Sequence, residues 1–140
     1  IATVARRQGD LSAALGGFER ALALYRQLDD RDGTAAVLTH IGLIRLNQGE
    51  YSAALENLAE SRRLQEADTA RRLGLLTQRE REVLELIIVG KLNKQIADVL
   101  GISIKTVEVH RARVMEKMGA HSLAELVQHV VVLEPGAVPR

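Results

Sequence analysis

At 140 residues the chain can form one compact domain or two small ones, and its net charge of +1 says nothing by itself about partners. With no Cys it has no disulfide and no thiolate metal site, and no apolar run approaches the length of a membrane span. The charge is unevenly placed: residues 1–70 carry eight Arg against ten acids, a net of −2, while residues 71–140 carry eleven basic residues against eight acids, a net of +3. Such a modest positive field raises the question of nucleic acid without answering it.

The start, IATVARRQGDL, has no initiating Met, long apolar core or cleavage pattern, so it reads as the edge of a longer chain and not as a signal peptide. Residues 8–15, QGDLSAAL, return as residues 48–55, QGEYSAAL, with six of eight positions identical at an offset of 40. That period suggests stacked helical hairpins, with Gly9 and Gly49 expected in helix–helix turns. Small Ala13, Ala14, Ala53 and Ala54 are expected to let neighbouring helices approach closely.

The apolar period predicts helices over about 11–29, 34–47 and 51–67, with DDRDG as the first turn. Leu15, Phe18, Leu22 and Tyr25 form one stripe; Leu38, Ile41, Ile44 and Leu46 form another. These residues read as helix packing, and no metal set or nucleophile–base pair accompanies them.

On these motifs the first half, about residues 1–67, resembles the tetratricopeptide-repeat family, carried by the Gly–acid–x–x–x–Ala–Leu pattern at 9–15 and 49–55. The first repeat is expected to lack most of its leading helix. A repeat and a half is marginal alone, which implies a truncated piece, an end module or support from another subunit. The resemblance makes its groove a possible protein-binding surface. Residues 68–74, DTARRLG, form the join and are expected to continue the helix until Gly74 breaks it.

After Gly74 the signals are dense. Thr77 and Glu80 form a capping box ahead of a stripe of Val83, Leu84, Ile87 and Ile88, and Gly90 ends that helix. Asn93 is the expected cap of a short helix whose apolar face is Ile96, Val99 and Leu100, stopped by Gly101. Ser103 caps the next, IKTVEVHRARVMEKM, and Ser122 with Glu125 opens a fourth helix through Leu126, Val127, Val130 and Val131. Two helices, 94–100 and 104–118, joined by a short Gly-containing turn make a helix-turn-helix.

At 3.6 residues per turn, Val107, Val114 and Met118 share the packing side of the second of these helices, with Ile104 at its edge. Lys105, Val109, Ala112 and Glu116 point away, flanked by Glu108 and Arg113. In a major groove Val109 could contact a thymine methyl, Glu108 could accept from cytosine N4, and Ala112 would allow close approach. Lys105, Thr106, Arg113 and Lys117, with Lys94 and Gln95 from the preceding helix, are candidate phosphate contacts. Arg111 lies nearer the core and would have to snorkel outward.

From Leu76 to Val132 the chain resembles the LuxR-type DNA-binding domain, especially that ending NarL- and FixJ-like response regulators. The resemblance rests on the Arg-Glu-x-Glu-Val-Leu helix, Asn93-Lys94-x-Ile96-Ala97, Ile102-Ser103-x-x-Thr106-Val107-x-x-His110 and Lys117-Met118. It implies a four-helix domain whose third helix enters the major groove, with base-facing positions at Glu108, Val109 and Ala112. It also implies dimerisation through the fourth helix, at Leu123, Leu126, Val127 and Val130. Many relatives have Lys where this chain has Glu108, so base preference is expected to differ. His110 is expected to be packed and hydrogen-bonded; with His121 and His129 it offers no ligand cluster.

The expected fold is therefore all-α: tetratricopeptide-like hairpins over 1–70, a four-helix LuxR-type helix-turn-helix domain over 75–133, and a flexible tail over 134–140. The order of repeats then LuxR-type domain resembles the C-terminal end of large ATP-dependent regulators, although this chain has no G-x-x-x-x-G-K-[S/T] loop. The expected function is a cytoplasmic, sequence-specific binder of double-stranded DNA, acting as a homodimer, with no enzymatic activity, metal, cofactor or membrane. The alternative is a helical-repeat interaction module whose helix-turn-helix does not bind DNA.

Overall fold

A computed structural model describes residues 2–131 and 133; Val132 and the expected tail at 134–140 lie outside the described residues. Among the described residues the chain forms α1 (Ala2–Gln27), α2 (Arg31–Asn47), α3 (Tyr51–Gly74), α4 (Gln78–Ile88), α5 (Asn93–Leu100), α6 (Ile104–Met118) and α7 (Leu123–Val131). They divide into two compact units, the first ending at Gln65 and the second starting at Glu66, so α3 contributes residues to both.

In the first unit α1 is longer than expected and passes straight through Gly9, which is not a turn. A mid-helix glycine costs only about 1 kcal/mol relative to Ala, and with no Pro nearby its neighbours carry the helix across it. The same octapeptide behaves differently at its second copy: Gly49 has φ of 80° and makes the α2–α3 turn. The first turn is also shorter than DDRDG, because Asp30 caps α2 by accepting from the Gly33 N–H at 2.9 Å.

Leu38, Ile41, Ile44 and Ala54 are buried, whereas Leu46 is exposed, as are Ala13 and Ala14. Ser61 fastens α3 to α2: its hydroxyl donates to the Ala35 carbonyl at 2.7 Å and lies 2.8 Å from the Thr39 hydroxyl. Phe18 of α1 stacks on His40 of α2 with ring centroids 5.0 Å apart.

The second unit is built on the period of α4 to α7. Its core joins Leu76, Val83, Leu84, Ile87, Ile96, Ala97, Val107, Val114, Met118, Ala120, Leu126 and Val130. The capping box at Thr77 and Glu80 is formed. At α5 the expectation is corrected in two places. The N-cap is Leu92, whose N–H donates to Gln95 Oε1 at 2.9 Å, and Asn93 is already helical. The apolar face is Ile96, Ala97 and Leu100, the i, i+1, i+4 stripe, while Val99 points to solvent.

The last turns of α3, residues 66–74, belong to this unit. Asp68 accepts from Arg71 at 2.9 Å and from Arg72 at 2.6 Å. Burial raises the Asp68 pKa, but those two guanidiniums outweigh it and leave the carboxyl below its ordinary value. The buried Thr69 hydroxyl donates to the His129 carbonyl at 3.2 Å, fixing these turns to α7.

Candidate nucleic-acid interface

Three local features aim α6. Gly101 takes φ of 67°, a left-handed conformation open to glycine at little cost, and so ends α5 abruptly. Ser103, extended at φ −72° and ψ 155°, then caps α6 by accepting from the Thr106 N–H at 3.1 Å. Val107, Val114 and Met118 are fully buried, which fixes the rotation of α6 about its axis.

The opposite face follows from that rotation. Lys105, Glu108, Val109, Ala112, Arg113 and Glu116 are exposed, and Val109 keeps 45% of its surface open. Lys94 and Gln95 are exposed near the start of α5, with Gln95 Oε1 committed to the Leu92 N–H. Thr106 is exposed, its hydroxyl 2.8 Å from that of Ser103. These residues form a face of mixed charge, with Val109 and Ala112 and the acids Glu108 and Glu116 among the cations.

Two candidate phosphate contacts are engaged elsewhere. Arg111 is half-buried and donates to Asn93 Oδ1 at 3.1 Å, which ties α6 to the first residue of α5. The Lys117 ammonium reaches inward, 3.0 Å from Glu80 Oε2 and in contact with Oε1, and donates to the Leu75 carbonyl at 3.2 Å. Sequence reasoning missed both pairings. Asn93 and Arg111 lie on different helices, and only tertiary packing shows which side of α6 faces Glu80.

The α7 residues also separate. Leu126 and Val130 are buried in the unit's own core, so neither is available to a second chain while the core is intact. Leu123 and Val131 are 48% and 70% exposed, and Val127 is half-buried. The fourth-helix cap is at Ser122 as expected, the Glu125 N–H donating to Ser122 Oγ at 3.1 Å, while the Glu125 side chain reaches back one residue further and its Oε2 accepts from the N–H of His121 at 2.9 Å.

His110 is half-buried, as its packing predicted, yet its Nδ1 has no hydrogen-bond partner. His129 Nδ1 lies 3.1 Å from the Met118 carbonyl. Among the described residues no group of three or more His, Asp or Glu could hold a metal ion, and no helix is long and apolar enough to cross a membrane.

A short helix with Ile96 and Ala97 in the core, a glycine-broken turn and a second helix with one face in the core and the other in solvent form a helix-turn-helix. Residues 74–130 match the family of bacterial regulatory proteins of the luxR type. The tetratricopeptide-repeat family matches residues 1–79, more than half of the chain, and the chain belongs to that family through its N-terminal helices.

The chain is 57% identical over 53 residues to the tetrathionate response regulatory protein TtrR of Salmonella typhimurium, covering 38% of this chain and 26% of that protein. It is 48% identical over 89 residues to the transcriptional regulatory protein FixJ of Azorhizobium caulinodans, covering 62% and 41%. The solved structure of full-length FixJ from B. japonicum matches with a TM-score of 0.51 and 42% identity, over 63% of this chain and 44% of that one. The chain thus spans between about a quarter and two fifths of the length of these curated relatives.

These likenesses overturn the expected kinship with large ATP-dependent regulators. They support a LuxR/FixJ-type domain of the kind that follows a small receiver-type domain in two-component response regulators. The order of modules had suggested the other lineage, but order records only which modules adjoin.

Proposed function

We propose that this chain is a sequence-specific binder of double-stranded DNA that regulates transcription. The observation carrying the reading is the exposed face of α6, where Glu108, Val109 and Ala112 stand opposite the buried Val107, Val114 and Met118. In this reading α6 lies in the major groove. Val109 meets a thymine methyl, Glu108 accepts from a cytosine amino group, and Ala112 keeps the helix close to the base edges. Lys94, Lys105, Thr106 and Arg113 hold the phosphates on either side. Arg111 and Lys117 support the reading indirectly, by anchoring α6 to α5 and α4.

The unit dimerises through the outer stripe of α7, where exposed Leu123 and Val131 and half-buried Val127 follow i, i+4, i+8 spacing. The domain extends over 75–133, and the tetratricopeptide helices of 1–70 offer a protein-binding surface. FixJ and TtrR are named as transcriptional and response regulatory proteins, which agrees with this role.

Selection from a pool of random duplexes with the full chain, followed by titration of the winner at increasing salt, tests the proposal. Enrichment of a defined sequence and a steep loss of affinity with salt are expected. No enriched duplex, or an affinity indifferent to salt, would favour the interaction-module alternative.

A further inference from the structure

The second unit holds a cleft of about 620 Å³ lined by Arg71, Arg72, Leu75, Arg113, Glu116 and Lys117. Its walls come from the last turn of α3 and the C-terminal half of α6. Val109, Ala112, Arg113 and Glu116 follow i, i+3, i+4, i+7 spacing, so the α6 wall continues the face that carries the candidate base readers. A duplex seated on that face would reach the mouth of the cleft along the same helix.

The cations of the cleft do different work. Lys117 is bound to Glu80 and to the Leu75 carbonyl, and Arg72 donates to Asp68 at 2.6 Å, so these two build its floor. Arg113 is exposed, and the Arg71 side chain is 56% exposed with one terminal nitrogen on Asp68 at 2.9 Å. A guanidinium has five N–H donors in a rigid fork suited to phosphate oxygens, and that contact occupies only part of it.

We propose that the cleft is a phosphate-backbone site, in which Arg71, from the helix preceding the domain, and Arg113, from the recognition helix, hold one DNA phosphate between them. The proposal rests on the DNA-binding reading and extends its footprint beyond the helix-turn-helix. Glu116 shares the cleft and repels the same phosphate, so the site predicts effects of opposite sign from neighbouring residues.

The test measures affinity of the full chain for its selected duplex and for an unrelated one across a salt series, with a melting curve for each variant. Arg71→Gln and Arg113→Gln should each weaken both duplexes about 3- to 10-fold and lower the salt slope by about one. Glu116→Gln should tighten both about 2- to 5-fold, a gain that a merely structural role would not produce. Arg71→Lys should retain part of the affinity lost in Arg71→Gln. A loss from Lys94→Ala with none from Arg71→Gln would overturn the cleft and leave the DNA reading standing. Weakening by Glu116→Gln, or a loss in Arg71→Gln that follows its melting temperature and is not relieved by Arg71→Lys, would also overturn it. A wild-type chain that binds no duplex would overturn both readings.

Discussion

The ammonium of Lys117, in the last turn of α6, lies 3.0 Å from Oε2 of Glu80 in the first turn of α4 and touches Oε1 as well. Glu80 is 1% exposed and also completes the capping box with Thr77, so one carboxylate serves both a helix end and a helix–helix contact. Burial pushes its pKa up, but hydrogen bonds from Lys117 and Thr77 and the Lys117 charge outweigh that and hold it below the ordinary 4.5.

A carboxyl depressed in the folded state stabilises fully above its unfolded pKa, and that contribution fades as pH falls through the folded value. The second unit should therefore lose stability as pH drops below 4.5. Glu80→Gln should flatten this acid limb and cost about 1–3 kcal/mol at neutral pH, the Lys117 ammonium having lost its charged partner. Denaturant unfolding at several pH values reads both effects; an unchanged acid limb in Glu80→Gln would refute the assignment.

The caps at Thr77 and Ser103 and the rotation of α6 were legible in the sequence because each is local. They depend on residues three or four apart and on a 3.6-residue period. What was not legible depends on tertiary context. The octapeptide around Gly9 reads like that around Gly49, yet only the second turns, because a glycine permits a turn without imposing one. Likewise the apolar residues of α7 could be named from the sequence. Their division into core (Leu126, Val130) and surface (Leu123, Val131) depends on where α7 meets the other helices.

The two glycines give a paired prediction. Gly9 lies inside α1 with nothing within 4 Å of where a Cβ would stand, so Gly9→Ala should stabilise the first unit by about 0.5–1 kcal/mol. Gly49→Ala also has space, but φ of 80° puts the new side chain in the left-handed region and should destabilise by about 1 kcal/mol or more. Urea titrations of the two variants should move in opposite directions. Destabilisation by both would mean that residues around Gly9 do not stay helical in solution.

Base readout and backbone contact are separable on α5 and α6. Exposed Glu108 and Val109 lie on the proposed base-facing side, so Glu108→Lys or Val109→Ala should change which base is preferred at one or two positions, by about 1–3 kcal/mol of discrimination. Exposed Lys94 sits near the start of α5, and Lys94→Ala should weaken every duplex alike and lower the salt slope by about one. Repeating the duplex selection with each variant distinguishes the cases. A uniform loss from Glu108→Lys would remove it from the base-reading set.

On α7, folding and dimerisation are predicted to fall on different residues of the same short helix. Leu126 is fully buried in the core, and Leu126→Ala should cost about 2–5 kcal/mol through lost burial and the cavity left behind. Leu123 and Val131 are exposed, so Leu123→Lys with Val131→Lys should leave the melting temperature of the dilute chain nearly unchanged. If the exposed stripe is the dimer face, that double variant should sediment as a monomer at concentrations where the unaltered chain associates. Its affinity for a two-half-site duplex should fall towards that for a single half-site, because the second half-site is no longer reached at high effective concentration. Unaltered association in the double variant would place the dimer contact elsewhere on the surface, since Leu126 and Val130 remain enclosed in the core.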